Sequence, residues 1–307
     1  MTKKLLIKQE DLYTFSVRNS TDEQRALQQI ISQTAYWLRE NNLEQEVRRN
    51  KYNSILMNKL VYYSMRKLQV KNPRLKLRSG WYKYGPCCEE LRHGEESLGK
   101  TMFSQWEITG IDDVLPEIEE TCRKLVPVFM KSVRKGGFPH SYLHYVYKRS
   151  SDISEDMKRY YLAKSALSEA LDRYSRGDKR DASPLERYLI EFDAAVMNPK
   201  YYRQIELSES EIRMVTEYTA LIPYVIESST QSTVHKQMVR DVVMYFLNGV
   251  LMIFAYRNYM KTFESYNPRN RKRVMEFMRD KSDEFIKNLE IHLDSYYDRL
   301  NMVLVGV

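Results

Sequence analysis

Apolar residues recur at helical spacing along most of the chain. Residues 1–19 are the ambiguous part, where alternation around Leu12 to Val17 fits a short strand. Ser20, with Glu23 three residues on, has the form of a capping box. Leu27, Ile30, Ile31, Thr34, Ala35 and Leu38 then follow on one helical face. A second helix is predicted from about Arg49 to Val70, with Leu56, Leu60, Tyr63 and Lys67 along one line, and Asn72-Pro73 stops it. Leu75, Leu77 and Trp81 predict a short extended piece. Gly85-Pro86 reads as a break followed by a helix start, with Glu89 and Glu90 suited to the positive end of a helix dipole. Pro116 opens another helix, predicted to kink at Pro127 and to stop at Gly136-Gly137.

The second half repeats this pattern. Ser154 precedes a helix to about Tyr174, and Gly177 to Ser183 form a charged loop. Ser183-Pro184-Leu185-Glu186 and Ser208-Glu209-Ser210-Glu211 are both helix starts, the second helix ending near Pro223. A long apolar helix is predicted from about Ser232 to Phe263, broken by Asn267-Pro268. The last begins near Arg269 and carries Val274, Phe277, Phe285, Leu289 and Leu293 on one stripe. The expectation is an all-α protein with a helical domain over residues 1–150 and an antiparallel helical bundle over 151–307.

Composition narrows the class in the same direction. Only 10 Gly and 9 Pro in 307 residues leave few tight turns, which argues against a β-sandwich, a β-barrel or a Rossmann-type enzyme. Three Cys cannot make a disulfide framework for a chain of this size. The apolar run after Met1 ends within a few residues, unlike a signal peptide. The longest apolar stretch, Val242 to Tyr256, is interrupted by Asn248 and Gly249 and is short of the ~20 residues a bilayer needs. A soluble cytoplasmic protein with no membrane partner is expected.

Charge changes the picture. Residues 1–150 hold 26 Lys+Arg against 17 Asp+Glu, whereas residues 151–307 hold 23 against 24. The positive excess of the whole chain, +8, therefore belongs to the first half. No acidic residue occurs from Val47 to Cys88, while eleven basic ones do: Arg48, Arg49, Lys51, Lys59, Arg66, Lys67, Lys71, Arg74, Lys76, Arg78 and Lys83. A solvated helical face ordinarily mixes signs, because opposite charges one turn apart support it. A one-sign stretch suits a polyanion or an acidic protein surface. Tyr52, Tyr62, Tyr63, Trp81, Tyr82 and Tyr84 interleave with these cations. Aromatic faces stack on bases while Lys and Arg hold phosphates, which is how single strands are gripped without a base code. Taken alone, the aromatics read better as core, and it is the missing acids that point to an interaction surface. A second cluster, Arg269-Asn270-Arg271-Lys272-Arg273, opens the last predicted helix, where cations oppose the dipole.

Catalytic signals are sparse. Cys87, Cys88 and His93 lie close together, and His140 and His144 are four apart, but adjacent cysteines suit zinc poorly, and no metal or cofactor is expected. No Gly-rich phosphate loop, Gly-x-Ser-x-Gly elbow or His-Glu-x-x-His helix is present. Arg134 and His140 resemble the Arg–His motif of the all-helical HEPN ribonucleases, which implies RNA cleavage. Gly136, Gly137 and Pro139 between them make the spacing non-helical.

Two further stretches carry a family resemblance. Asn58-Lys59-Leu60-Val61-Tyr62-Tyr63, followed by Gly80-Trp81-Tyr82-Lys83-Tyr84-Gly85-Pro86-Cys87-Cys88-Glu89-Glu90-Leu91, resembles the Panacea (SocA-like) and YwgA-like group. Those proteins pair a Lys-Leu-x-Tyr helix with an aromatic-x-Tyr-Gly-Pro turn and helix. The resemblance spans roughly residues 50–98. It implies core roles for Leu60 and Leu91, and a reversal fixed by Gly85 and Pro86 with Tyr84 packed over it. Panacea domains act as antitoxins that bind and neutralise toxin proteins, so a binding module without catalysis is implied.

Together these readings predict a non-enzymatic, regulatory binding protein. Arg48, Arg49, Lys51, Arg66, Lys67, Arg74, Lys76, Arg78 and Lys83 would capture a nucleic acid, DNA or RNA, and Trp81 and Tyr82 would add stacking or packing at the interface. The alternatives are an antitoxin-like protein with an acidic toxin partner, and a HEPN-like ribonuclease.

Overall fold

The computed structural model describes residues 21–71, 73, 79–82, 84–88, 114–134, 137–151, 153–175 and 182–228, with residues 257, 276, 279–280, 283–284, 286–288, 290–291, 294–295 and 298. Of what is described, 83% is helical, so the protein is all-α. The described chain falls into two compact units, one ending at Tyr145 and the other beginning at Val146.

In the first unit, α1 (Thr21–Glu40) buries Ile30, Ile31, Thr34, Ala35 and Leu38, the stripe its sequence predicts. Asn42 takes a left-handed conformation (φ 56°) and reverses the chain into α2 (Glu44–Arg49). Asparagine tolerates this region because its short side chain costs little there. The predicted helix from Arg49 begins later than expected. Asn50 is extended, and its Oδ1 accepts the Tyr52 backbone N–H at 2.9 Å, so this turn separates α2 from α3 (Asn53–Lys71).

Helix α3 is the centre of the unit. It packs against α1, against α4 (Pro116–Val133) and against the second strand of a hairpin. Leu56, Met57, Leu60 and Val61 are wholly buried, and Ile55, Tyr62 and Met65 nearly so. The wide apolar face explains why the helix lacks a clean amphipathic stripe. Helix α4 places Ile118, Cys122, Val126 and Phe129 inward at three- and four-residue spacing. Pro127 lies within this helix at an exposed position and removes one helical hydrogen bond. The helix gives way at Arg134, short of the predicted glycine stop.

The hairpin joins β1 (Ser79–Tyr82) to β2 (Gly85–Cys88) in antiparallel register, with Trp81 opposite Pro86 and Tyr82 opposite Gly85. Gly85 has φ 83°, a conformation that a β-carbon would penalise. The helix start expected at Gly85-Pro86 is therefore overturned: residues 85–88 are extended. The strand pairing supplies hydrogen bonds to this segment, and Pro86, unable to donate, sits in a ribbon that has two strands among the described residues.

The second unit begins within α5 (His140–Arg149) and continues through α6 (Glu155–Ser175), α7 (Ala182–Val196), α8 (Pro199–Ile205) and α9 (Glu209–Ser228). Ser154 Oγ accepts the Met157 N–H at 3.3 Å, the predicted cap of α6. Helices α6 and α7 pack together, with α8 against both and α9 against α7. Their core is aromatic: Tyr160 stacks on Tyr201 with centroids 4.8 Å apart and meets Tyr161 edge-on at 5.2 Å. Short α8 was not predicted; Asn198 caps it by accepting the Lys200 N–H at 3.0 Å, and Pro199 fills its first position. At α9 the expected box closes in both directions: Glu211 N–H donates to Ser208 Oγ at 3.3 Å, and Ser208 N–H donates to Glu211 Oε2 at 2.7 Å. This helix continues past Pro223, its predicted end, to Ser228. Proline prevents one helical hydrogen bond, and packing can carry a helix across that loss. Among the described residues no helix is long and apolar enough to cross a membrane. Apart from Arg257, the helix predicted over 232–263 lies outside the described residues, as does the opening of the last stripe with Arg269–Arg273.

Candidate partner-binding surface

Helices α2 and α3 position most of the described cations of the carboxylate-free stretch. Lys59 is internal, 1% exposed, and its ammonium donates to the Pro86 carbonyl at 2.5 Å. Leu60, its neighbour, is core, so this turn of α3 faces inward and the Lys59 charge cannot contact a partner.

Arg48 is drawn onto Glu44 one turn earlier, at 2.5 Å, and Arg39 reaches the same carboxylate at 3.0 Å. The hydrogen bond from Arg39, then that from Arg48, holds the Glu44 carboxyl below its ordinary range against the opposing effect of burial. At the far end of α3, Lys67 meets Glu120 at 2.7 Å and Lys71 pairs with Glu117. Both acids come from the first turns of α4. Glu120 is brought down to about 2, chiefly by hydrogen bonds from Lys124 and Lys67, and Glu117 is lowered chiefly by the bond from Lys71.

Three cations have a different placement. Arg49, Lys51 and Arg66 are exposed, and among the described residues none of them forms an ion pair. The Lys51 ammonium lies over the Tyr52 ring, 4.8 Å from its centroid. Arg74, Lys76, Arg78 and Lys83 lie outside the described residues.

The aromatic residues separate into two groups. Trp81 is 5% exposed and Tyr62 4%, both part of the core. Tyr82 is placed in β1 by its backbone, opposite Gly85. Tyr52 and Tyr84 are half-buried and retain solvent contact. Of the remaining candidates, Arg134 is exposed at the end of α4, whereas His140 is buried at the start of α5 with its ring 4.8 Å from that of Phe138. His144, one turn on, is exposed. Cys87 and Cys88 belong to β2, and His93 lies outside the described residues. Among the described residues, no three His, Cys, Asp or Glu side chains come together as a metal site.

Sequence reasoning missed the acids. Glu117 and Glu120 stand about fifty positions from Lys67 and Lys71, and nothing local announces that α4 will lie along α3. Their position in the first turns of a helix reads equally well as dipole complementarity. Glu44, by contrast, precedes Arg48 at the four-residue spacing of a helical pair and was available to a pattern search.

The chain matches no protein-family model, no curated protein and no solved structure.

Proposed function

We propose that this is a non-enzymatic, cytoplasmic binding protein with a regulatory role, whose first unit holds a nucleic acid. The observation that carries this reading is the exposure of Arg49, Lys51 and Arg66 with no carboxylate partner among the described residues. Unpaired surface cations keep their full attraction for phosphate, whereas a cation already held by a carboxylate must first be released. The decisive experiment is salt-resolved binding of labelled DNA and RNA oligonucleotides. Log affinity should fall linearly with log salt, by about 0.7 per phosphate contact on a single strand. Protein that stays free of nucleic acid at low salt and shifts no oligonucleotide would overturn the reading.

A second reading, an antitoxin-like protein with an acidic protein partner, is favoured by a different observation. Lys67 and Lys71 are engaged by two carboxylates presented on the surface of one helix, Glu120 and Glu117. The end of α3 thus meets acidic groups on a protein helix within its own fold. The Panacea-like stretch supports the same reading. A protein ligand would bind with a shallow salt dependence, because little counterion is released from it.

A further inference from the structure

Three distant segments of the first unit meet at one corner. Tyr52 precedes α3, Tyr84 stands at the hairpin reversal, and Phe138 lies in the connection between α4 and α5. The Phe138 ring is 5.2 Å from Tyr52, edge-on, and 5.3 Å from Tyr84, tilted. His140 closes the inner side, 4.8 Å from Phe138. The histidine is buried, but Tyr52, Tyr84 and Phe138 are each only half-buried. The aromatic cluster of the second unit differs in kind, since Tyr160, Tyr161 and Tyr201 are at most 1% exposed.

Two exposed cations among the described residues flank Tyr52. Exposed Lys51 lies over the face of Tyr52, so that face of the ring looks outward. Arg49, two residues earlier, is exposed as well. Rings that keep solvent contact beside cations with no carboxylate partner among the described residues combine the two elements that grip a single strand: faces for bases and charges for phosphates. A duplex offers only the second contact, because its base faces are already stacked on one another.

We propose that Tyr52, Tyr84 and Phe138, flanked by Arg49 and Lys51, form a stacking platform for single-stranded nucleic acid. The proposal rests on the nucleic-acid reading above and narrows it to one ligand form and one place. Lys51 would move from the Tyr52 ring to a phosphate as a base takes its position over that ring.

The test is fluorescence anisotropy of the full chain with a labelled single strand of about 16 nucleotides and with the matching duplex. The single strand should bind the more tightly. Tyr52→Leu and Phe138→Leu preserve apolar bulk but remove ring stacking, and each should weaken single-strand binding about tenfold with little change in salt slope. Arg49→Glu with Lys51→Glu should flatten the slope, and Arg203→Glu, an exposed cation of the second unit, should not. The exposed pair reads the same corner should either ring variant fail to fold. Single-strand binding unchanged in the folded ring variants and in the charge-reversed protein would overturn the platform while leaving nucleic-acid binding in place. Equal affinity for duplex would overturn the single-strand preference. Absence of binding to either probe would overturn both readings, as would equal displacement of the strand by polyglutamate at matched charge.

Discussion

The Lys59 ammonium, buried in the middle of α3, donates a hydrogen bond to the Pro86 carbonyl in the hairpin, 2.5 Å away and 27 residues along the chain. This bond joins α3 to β2, two elements far apart in the sequence. It also gives a physical reason for a lysine inside an apolar helix. The long side chain spans from the α3 backbone to a carbonyl that would otherwise be enclosed, and a buried charge is tolerable only with such a partner.

Replacing Lys59 by Met keeps the stem and removes the donor. The Pro86 carbonyl is then buried without that bond, and the first unit should lose about 2 kcal/mol. Tryptophan emission reports this unit selectively, because Trp37, Trp81 and Trp106 all precede Tyr145. Urea unfolding followed by that emission should show an earlier midpoint in Lys59→Met. An unchanged midpoint would mean that the bond contributes nothing net.

Glu117 and Glu120 should make the first unit acid-sensitive. Both carboxyls are lowered in the folded protein from the ordinary 4.5, Glu120 to about 2. A lowered folded value means that the unfolded chain takes up protons first as pH falls. The stabilisation is therefore complete above about pH 4.5 and is lost as pH falls towards about 2. The double change Glu117→Gln and Glu120→Gln should reduce the difference in unfolding midpoint between pH 6 and pH 3. Both carboxylates face cations of α3, and Glu120 also faces Lys124, so the same double change frees Lys67 and Lys71. If phosphate contacts extend to that end of α3, oligonucleotide affinity should rise.

Cys122 should behave as a structural thiol. It is wholly buried in α4, and burial pushes its pKa up to about 12, so almost no reactive thiolate exists near neutral pH. Iodoacetamide at pH 8 should leave Cys122 unmodified in the folded protein and alkylate it after denaturation, as read by peptide mass spectrometry. Rapid native labelling at this residue would show that α4 opens readily.

The helical pattern was legible because its signals are local. The inward stripe of α1, the Ser154 cap and the reciprocal Ser208–Glu211 box each depend on residues within a turn or two. The errors that bear on the candidate surface fall where distant groups decide. Gly85-Pro86 has the local chemistry of a helix start, but pairing with Ser79–Tyr82 and acceptance of the Lys59 proton make it a strand. The same holds for charge. The carboxylate-free stretch is real, yet Lys59 turns inward and α4 brings acids to Lys67 and Lys71. The corner around Phe138 had no linear signature, because its three rings come from three segments.

Glu211 offers the sharpest stability test in the second unit. It is fully buried, and Arg257 donates to both its oxygens, Nε at 3.0 Å and Nη2 at 2.7 Å. The same carboxylate accepts the Ser208 N–H at the start of α9. Removing the arginine takes both of its hydrogen bonds and its charge away from a buried carboxylate, so Arg257→Met should destabilise this unit by about 3 kcal/mol. Glu211→Gln with Arg257→Met should recover part of that loss, since the buried charge is gone and Gln can still cap. Amide hydrogen exchange in α9 measures both variants without relying on global unfolding. Faster exchange in the single variant than in the double identifies the buried carboxylate charge, rather than the lost contact alone, as the source of instability.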